Sequence, residues 1–219
     1  MTTRVVVLIS GSGRNLQALI DSQQVNGLGN AEIVAVISNK AQAFGLERAK
    51  SAGIPTAVLS HKDYDSRSDF DNALAALVDS FQPQLLVLAG FMRILTEQFT
   101  QHYANRILNI HPSLLPKYQG LNTHRRAIDA GDQEHGASVH FVSAELDGGP
   151  VVIQGMVPVL AGDTADTLAD RVMEIEQRIY PQAVQWFANG ELEISNHTAL
   201  RSGNTIPQVI KHELLDTTP

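Results

Sequence analysis

The chain alternates between short uninterrupted hydrophobic runs and longer stretches in which hydrophobic residues recur every three or four positions. The uninterrupted runs are rich in β-branched residues, which predicts strands buried on both faces; they are Arg4–Ile9, Glu32–Ile37, Thr56–Leu59 and Leu85–Ala89. Helical spacing between these runs predicts helices after Gly13, over Gly45–Ala52 and from Phe70 to Phe81. Alternating strands and helices predict a parallel sheet with helices on both faces.

The second half of the chain predicts a different connectivity. A strand over Arg106–Ile110 leads into a long loop, Ser113–Asn122, and a short helix from Thr123. Two further strands, Gly136–Val142 and Val151–Val159, flank an Asp-Gly-Gly-Pro turn, which predicts an antiparallel hairpin.

The C-terminal part predicts a long helix starting at Asp163, an edge strand at Glu191–Ile194 and an irregular polar tail over 196–219. We therefore expect an α/β fold within one domain, 1–195. It is an open, mostly parallel, Rossmann-like sheet with helices on both faces and antiparallel strands in its C-terminal half.

Composition narrows the functional classes. The chain has 219 residues and is 43% hydrophobic, as expected for an ordinary globular protein. A net charge of −7, with Arg125–Arg126 as the only adjacent basic pair, argues against a nucleic-acid partner. The absence of cysteine excludes disulfides, thiolate metal sites and a cysteine nucleophile. The first hydrophobic run stops after about six residues, too short for a signal peptide or membrane span, so we expect a cytoplasmic protein.

The first predicted strand ends in a glycine loop, Gly11–Asn15, before a helix. Backbone N–H groups and the helix dipole at such a loop can hold a phosphate. A tight turn that needs glycine geometry explains the same residues equally well. Leu16 stands where a dinucleotide fingerprint has its third glycine, and Ser38–Lys40 lacks the acidic residue that holds a ribose, so a mononucleotide phosphate fits better than NAD.

Asn109 and His111 lie two apart at the end of a predicted strand, so their side chains share one face. An amide and an imidazole at this position suit the ligand crevice of an open α/β sheet, although a histidine that only ends the strand is the simpler interpretation. Asp147 precedes a glycine and is typical of a turn. If it reaches His111, its carboxylate favours the imidazolium form. Histidine spacing predicts no metal site.

Taken together, these residues resemble the folate-dependent glycinamide ribonucleotide formyltransferases over nearly the whole chain. The block Asn109–Pro116 is highly specific for folate-dependent formyltransferases and hydrolases as a class. The segments that carry the resemblance are Val7–Gly13, Ser38–Lys40, Leu88–Leu95, Leu108–Pro116, Gly136–Val142 and Leu146–Pro150.

The resemblance implies transfer of a formyl group from 10-formyltetrahydrofolate to glycinamide ribonucleotide in purine synthesis, without a metal. It implies a phosphate-binding half, about 1–100, and a folate-binding and catalytic half, about 101–195. The implied catalytic residues are Asn109, His111 and Asp147. The implied ribonucleotide-binding residues are Gly13, Arg14, Asn15 and, meeting the substrate amine, Glu176. The implied folate-binding residues are Arg67, Met92, Arg93, Ile94, Leu95, Asn109, Ser143, Ala144, Glu145, Leu146 and Asp147.

Two positions depart from the family pattern. Arg14 stands where the family often has a small polar residue, and its side chain either supports the phosphate or faces solvent. Met173 stands where some members have a polar residue, so it is given no substrate hydrogen bond.

Three rival functions fit the sequence less well. Methionyl-tRNA formyltransferases carry an additional C-terminal RNA-binding domain, for which the residues after Asn196 are too few. Formyltetrahydrofolate hydrolases usually carry an N-terminal regulatory domain, whereas here the first strand begins at Arg4. A non-catalytic nucleotide-binding module leaves Asn109, His111 and Asp147 without a role. We expect small-molecule substrates, no nucleic-acid or membrane partner, and a monomer or homodimer.

Overall fold

The computed structural model describes residues 2–211. The uninterrupted hydrophobic runs form the centre of an eight-stranded sheet, and a second sheet has three strands. In chain order the strands are β1 (Thr3–Ile9), β2 (Ala31–Ser38), β3 (Thr56–Val58), β4 (Leu85–Leu88), β5 (Ile107–His111), β6 (Glu134–Phe141), β7 (Val151–Pro158), β8 (Leu192–Ser195), β9 (Thr198–Arg201), β10 (Asn204–Thr205) and β11 (Gln208–Lys211). The helices are α1 (Arg14–Gln24), α2 (Phe44–Ser51), α3 (Arg67–Asp79), α4 (Glu97–His102), α5 (Thr123–Asp129) and α6 (Ala165–Ala188), with a 3-10 turn at His61–Asp63.

The main sheet has the order β11-β7-β6-β5-β4-β1-β2-β3. The five strands from β5 to β3 are parallel, β6 runs antiparallel to both β5 and β7, and β11 joins β7 in parallel. The structure therefore confirms the predicted α/β fold with a mostly parallel sheet and antiparallel strands in the second half. It also confirms the hairpin of β6 and β7.

Strand β1 has no polar alternation because both of its faces are buried. Val5, Val7 and Ile9 pack on one side of the sheet with residues of α1, α2 and α6. Val6 and Leu8 pack on the other side with residues of α3 and α4. Successive side chains of a strand point to opposite faces, so a strand between two helical layers must be hydrophobic throughout.

The expectation of an irregular tail from residue 196 is wrong over residues 198–211. Strands β8, β9 and β10 form the small antiparallel sheet, in which Ala199 is buried and the turn at Ser202–Gly203 adopts positive φ. The strand expected at Glu191–Ile194 belongs to this sheet rather than to the edge of the main one. That edge is β11. Residues 212–219 lie outside the described part, and the assignment of 1–195 to a single domain stays a prediction.

Helix α6 begins two residues later than its hydrophobic pattern predicted. Thr164 and Thr167 form a reciprocal capping box at its start. Asp163 instead accepts a hydrogen bond of 2.7 Å from Arg171, two turns along the helix. Over residues 2–211, every helix is too short or too polar to cross a membrane.

Candidate active site

The candidate site lies at the point in the parallel part of the sheet where the order in which strands are added reverses. From β1 the chain first adds β2 and β3 on one side and then β4 and β5 on the other. The loops that leave the carboxyl ends of β1 and β4 therefore separate and leave a crevice, the usual ligand position in an open α/β sheet. The glycine loop follows β1, and Ala89–Leu95 follows β4.

Gly13 needs to be a glycine for two structural reasons. It is the N-cap of α1 with φ of 71°, in the left-handed region. A Cβ atom there would lie 2.7 Å from the Cα atom of Gly45, on the neighbouring α2. The interpretation of the loop as a tight turn that needs glycine is therefore correct. The same turn exposes the N-terminus of α1, so the loop can also bind an anion.

A cavity beside this loop, here called the glycine-loop cavity, carries the predicted ribonucleotide residues Gly13, Arg14 and Asn15. Its lining residues are Ser10, Gly11, Ser12, Gly13, Arg14, Asn15, Lys40, Ala89, Gly90, Met92 and Met173. Arg14 also forms an exposed ion pair of 3.3 Å with Asp170. The Arg14 side chain is therefore shared between the cavity rim and α6.

Glu176 lies beneath the glycine loop and does not line the cavity itself. Its carboxylate accepts a hydrogen bond of 2.6 Å from Asn15 Nδ2. Burial raises the pKa of Glu176 to about 7, against a smaller lowering by Asn15. The Asn15 Oδ1 atom is buried without a protein partner, so the amide presents an unused acceptor. Glu176 is thus placed to orient Asn15 and to hold or release a proton near neutral pH.

The predicted catalytic residues meet at the end of β5. His111 Nδ1 lies 3.4 Å from Asp147 Oδ2, and both side chains are buried. Asp147 follows β6 in the turn to β7 and has φ of 51°, a conformation that Asp and Asn tolerate. Its Oδ2 atom also accepts the backbone N–H of Gly120 at 3.0 Å. The sequence could not establish this approach, which depends on the pairing of β5 with β6.

Both ring nitrogens of His111 face oxygen acceptors. His111 Nε2 donates to the Tyr118 carbonyl at 2.9 Å, and Nδ1 faces the Asp147 carboxylate. The ring is therefore held between one carbonyl oxygen and one carboxylate oxygen.

His140 is a site residue that the sequence reasoning missed. It lies opposite Asn109 in the β5–β6 register, and its Nε2 atom accepts from Asn109 Nδ2 at 3.1 Å. Its Nδ1 atom donates to the Phe141 carbonyl at 3.0 Å. Burial lowers the pKa of His140 to about 4, so the ring is neutral at pH 7 although Nε2 lies 3.8 Å from Asp147. His140 therefore fixes the Asn109 amide and adds no charge.

A second cavity, the hairpin cavity, lies between Ala89–Leu95 and the turn after β6. It contains most of the predicted folate residues: its lining residues are Leu88, Phe91, Arg93, Ile94, Leu95, Thr100, Asn109, His140, Val142, Ser143, Ala144, Glu145, Leu146 and Asp147. Two predicted folate residues lie elsewhere. Met92 lines the glycine-loop cavity, and Arg67 is exposed at the start of α3. His111 lies behind Asp147 and does not line the hairpin cavity.

Comparisons with known proteins place the chain in a family. Residues 3–184 match the model of the formyl transferase family. This protein belongs to the formyl transferase family. It is 54% identical over 203 residues to the phosphoribosylglycinamide formyltransferase of Escherichia coli, covering 93% of this chain and 95% of that protein. The corresponding enzyme of Haemophilus influenzae is 48% identical, with 94% and 96% covered.

Solved structures agree with the family assignment. The phosphoribosylglycinamide formyltransferase of Coxiella burnetii superimposes with a TM-score of 0.91 at 47% identity, covering 96% of this chain and 100% of that one. This formyl transferase is therefore similar in sequence and fold to proteins named phosphoribosylglycinamide formyltransferase.

One segment of this formyl transferase, the dividing segment Leu88–Leu95, separates the two cavities. Ala89, Gly90 and Met92 face the glycine loop, whereas the other residues of the segment face the hairpin cavity. A buried serine holds the segment: Ser10 Oγ accepts the Met92 N–H at 2.8 Å and donates to Asn39 Oδ1 at 2.6 Å. The sequence alone gives Ser10 no role beyond its place in the segment Val7–Gly13.

A metal-binding group is not apparent in the described part of this formyl transferase. Among residues 2–211, no group of three or more His, Asp or Glu side chains is arranged to hold a metal ion.

Proposed function

We propose that this protein transfers the formyl group of 10-formyltetrahydrofolate to the amine of glycinamide ribonucleotide, giving formylglycinamide ribonucleotide and tetrahydrofolate in purine (IMP) synthesis. The similar proteins of Escherichia coli and Coxiella burnetii are named phosphoribosylglycinamide formyltransferases. The observation that carries the proposal is the contact of 3.4 Å between His111 and Asp147 beside Asn109, next to the segment that divides two cavities.

The ribonucleotide occupies the glycine-loop cavity in this proposal. Its phosphate accepts hydrogen bonds from the backbone N–H groups of the loop at the positive end of α1. Arg14 adds a cation at the rim. Asn15 Oδ1, which has no protein partner, accepts from a hydroxyl or from the amine of the substrate. Glu176 holds the Asn15 amide in that orientation and meets the amine through it.

The folate occupies the hairpin cavity, against the Ser143–Asp147 loop. Ile94, Leu95 and Leu146 supply apolar surface for the pterin ring. Arg93, whose buried Nε atom has no protein partner, is available for a polar group of the folate. Arg67 reaches only the outer, solvent-exposed end of the ligand.

The reaction needs a place for charge on the formyl oxygen. When the neutral amine attacks the formyl carbon, the carbonyl oxygen becomes an oxyanion, which the Asn109 amide and protonated His111 stabilise. Asn109 has a second N–H available beyond the one donated to His140. The Nε2–H of His111 must exchange the Tyr118 carbonyl for the substrate oxygen, since it is engaged in this structure.

Asp147 has two tasks in this mechanism. Its carboxylate supports the protonated form of His111, and its Oδ1 atom lies 3.8 Å from His140 Nε2. From there it passes a proton, through water, from the attacking amine towards the leaving folate nitrogen. The side chains form no covalent intermediate.

The test measures formyl transfer with purified protein and three acceptors: glycinamide ribonucleotide, charged initiator tRNA and water. We expect loss of 10-formyltetrahydrofolate only with the ribonucleotide, with one formylated product per folate consumed. Equal consumption without an acceptor would indicate a hydrolase, and formylation of the tRNA at a comparable rate would overturn the proposal.

We place the reaction in the cytoplasm, in a monomer or homodimer with no nucleic-acid partner.

A further inference from the structure

The glycine loop is held from outside its cavity by α2. The backbone N–H of Gly45 donates to the Gly11 carbonyl at 3.0 Å. One turn further along the helix, Arg48 Nε donates to the Ser12 carbonyl at 2.9 Å, and Arg48 Nη1 donates to Gln17 Oε1 on α1 at 3.0 Å. Two consecutive carbonyl groups of the loop are therefore fixed by one helix.

These contacts set the direction of two N–H groups. In a trans peptide the carbonyl and the N–H point in opposite directions. The carbonyls of Gly11 and Ser12 point to α2, so the N–H groups of Ser12 and Gly13, in the same peptide planes, point away from it. Both residues line the glycine-loop cavity. Within residues 2–211 neither N–H donates to a protein acceptor.

We propose that Arg48 is a positioning residue of the phosphate subsite: by holding the Ser12 carbonyl, it aims the Gly13 N–H at the anion. This inference rests on the proposed function, in which the anion is the ribonucleotide phosphate. The Arg48 guanidinium lies 4.9 Å from the centre of the Phe44 ring and is engaged by Ser12 and Gln17. It therefore acts through the backbone rather than by contact with the phosphate.

The chain offers a matched control for the charge. Lys50 lies on the same helix and is exposed, and its only ion pair within residues 2–211 is with Glu47, at 2.8 Å. Arg48→Met and Lys50→Met each remove one positive charge and leave an unbranched apolar side chain. Only the first variant releases the Ser12 carbonyl.

The experiment titrates ribonucleotide and folate separately into the full-length variants by calorimetry, with turnover measured in parallel. For Arg48→Met we expect the Kd of the ribonucleotide to rise about tenfold, since one well-placed hydrogen bond is weakened. The folate Kd, and kcat at saturating ribonucleotide, should stay at the wild-type level. Lys50→Met should match wild type throughout. Arg48→Lys keeps the charge but cannot donate to Ser12 and Gln17 together. Its affinity for the ribonucleotide should therefore lie between that of wild type and that of Arg48→Met.

Each outcome decides the inference. A ribonucleotide Kd for Arg48→Met equal to that of Lys50→Met would overturn it, as would an equal loss of folate affinity, which indicates general damage. Full affinity in Arg48→Lys combined with loss in Arg48→Met would indicate direct charge attraction instead. If the wild-type protein does not bind the ribonucleotide, the proposed function fails and this inference with it.

Discussion

At the residue scale, a single substitution of Asp147 tests its contact with His111. Asp147 has φ of 51°, where Asn is tolerated as well as Asp, so Asp147→Asn keeps the turn, removes the charge and replaces one acceptor oxygen by an NH2 group. If Asp147 supports an imidazolium at His111, kcat should fall about a hundredfold or more. Ring ¹⁵N chemical shifts at neutral pH should change from the protonated to the neutral pattern. Near-normal turnover with unchanged ¹⁵N shifts would leave Asp147 a turn residue.

The buried carboxyl of Glu176 predicts a pH dependence of stability. Its pKa is about 7 in the folded protein against an ordinary 4.5. The folded state therefore binds a proton that the unfolded state lacks between these values. Its contribution to stability is fully present below pH 4.5 and is lost as the pH rises through 7. Glu176→Gln should remove this loss, stabilising the protein at pH 8 by up to about 3 kcal/mol relative to wild type.

Chemical denaturation at pH 5 and pH 8 measures this effect. The exposed Glu32 provides the control, because Glu32→Gln removes a carboxylate that is not buried. The pH dependence of wild type and Glu176→Gln should differ, whereas wild type and Glu32→Gln should agree. Identical pH profiles for all three would contradict the burial of an ionisable Glu176.

At the scale of elements, the sequence predicted the strands and helices that show a local pattern of hydrophobic residues. Continuous hydrophobic runs identified β1, β2 and β4, and helical spacing identified α1 and α3. The order of strands and their register depend on contacts between residues far apart in the chain. The local pattern of a single sequence does not reveal these contacts. The pairing that brings His140 opposite Asn109 is of this kind, and so is the parallel addition of β11 to β7.

Short elements were also missed. Helix α4 has six residues and little hydrophobic periodicity, and the small sheet is stabilised by packing of single residues such as Ala199. The predicted list of site residues contained those carried by local motifs. Arg48 and His140 contribute through neighbouring backbone and amide groups, so nothing in their own sequence context identified them.

The dividing segment gives an element-scale prediction. Ser10 Oγ accepts from the Met92 N–H and donates to Asn39, so Ser10→Ala removes the partner of the part-buried Met92 N–H and of the buried Asn39 Oδ1. Because the segment lines both cavities, the affinities for ribonucleotide and folate should fall together, each about five- to tenfold. Separate titrations of each ligand measure this, with the exposed Ser68→Ala as control. Loss of only one ligand would contradict a shared role of the segment.

At the scale of the whole molecule, the account depends on the reversal of strand order between β1 and β4. The segment Leu88–Leu95 divides the crevice at this point into two cavities, and we propose that one substrate binds on each side of it. Asn109 and His111 lie at the end of the adjacent strand β5, where Asp147 reaches them from the turn after β6. In the proposed function, the formyl group moves across the end of the dividing segment. The central claim is therefore that the two substrates bind in separate cavities.

The most direct test of this claim titrates ribonucleotide and folate separately into two variants, one for each cavity. Gly13→Val introduces a side chain at a left-handed position against Gly45, and Ile94→Asp places a charge on the exposed rim of the hairpin cavity. We predict that Gly13→Val weakens the ribonucleotide by about tenfold to a hundredfold and leaves the folate Kd unchanged, whereas Ile94→Asp does the reverse. Thermal unfolding confirms that both variants are folded. Equal weakening of both ligands in either folded variant would contradict two separate cavities.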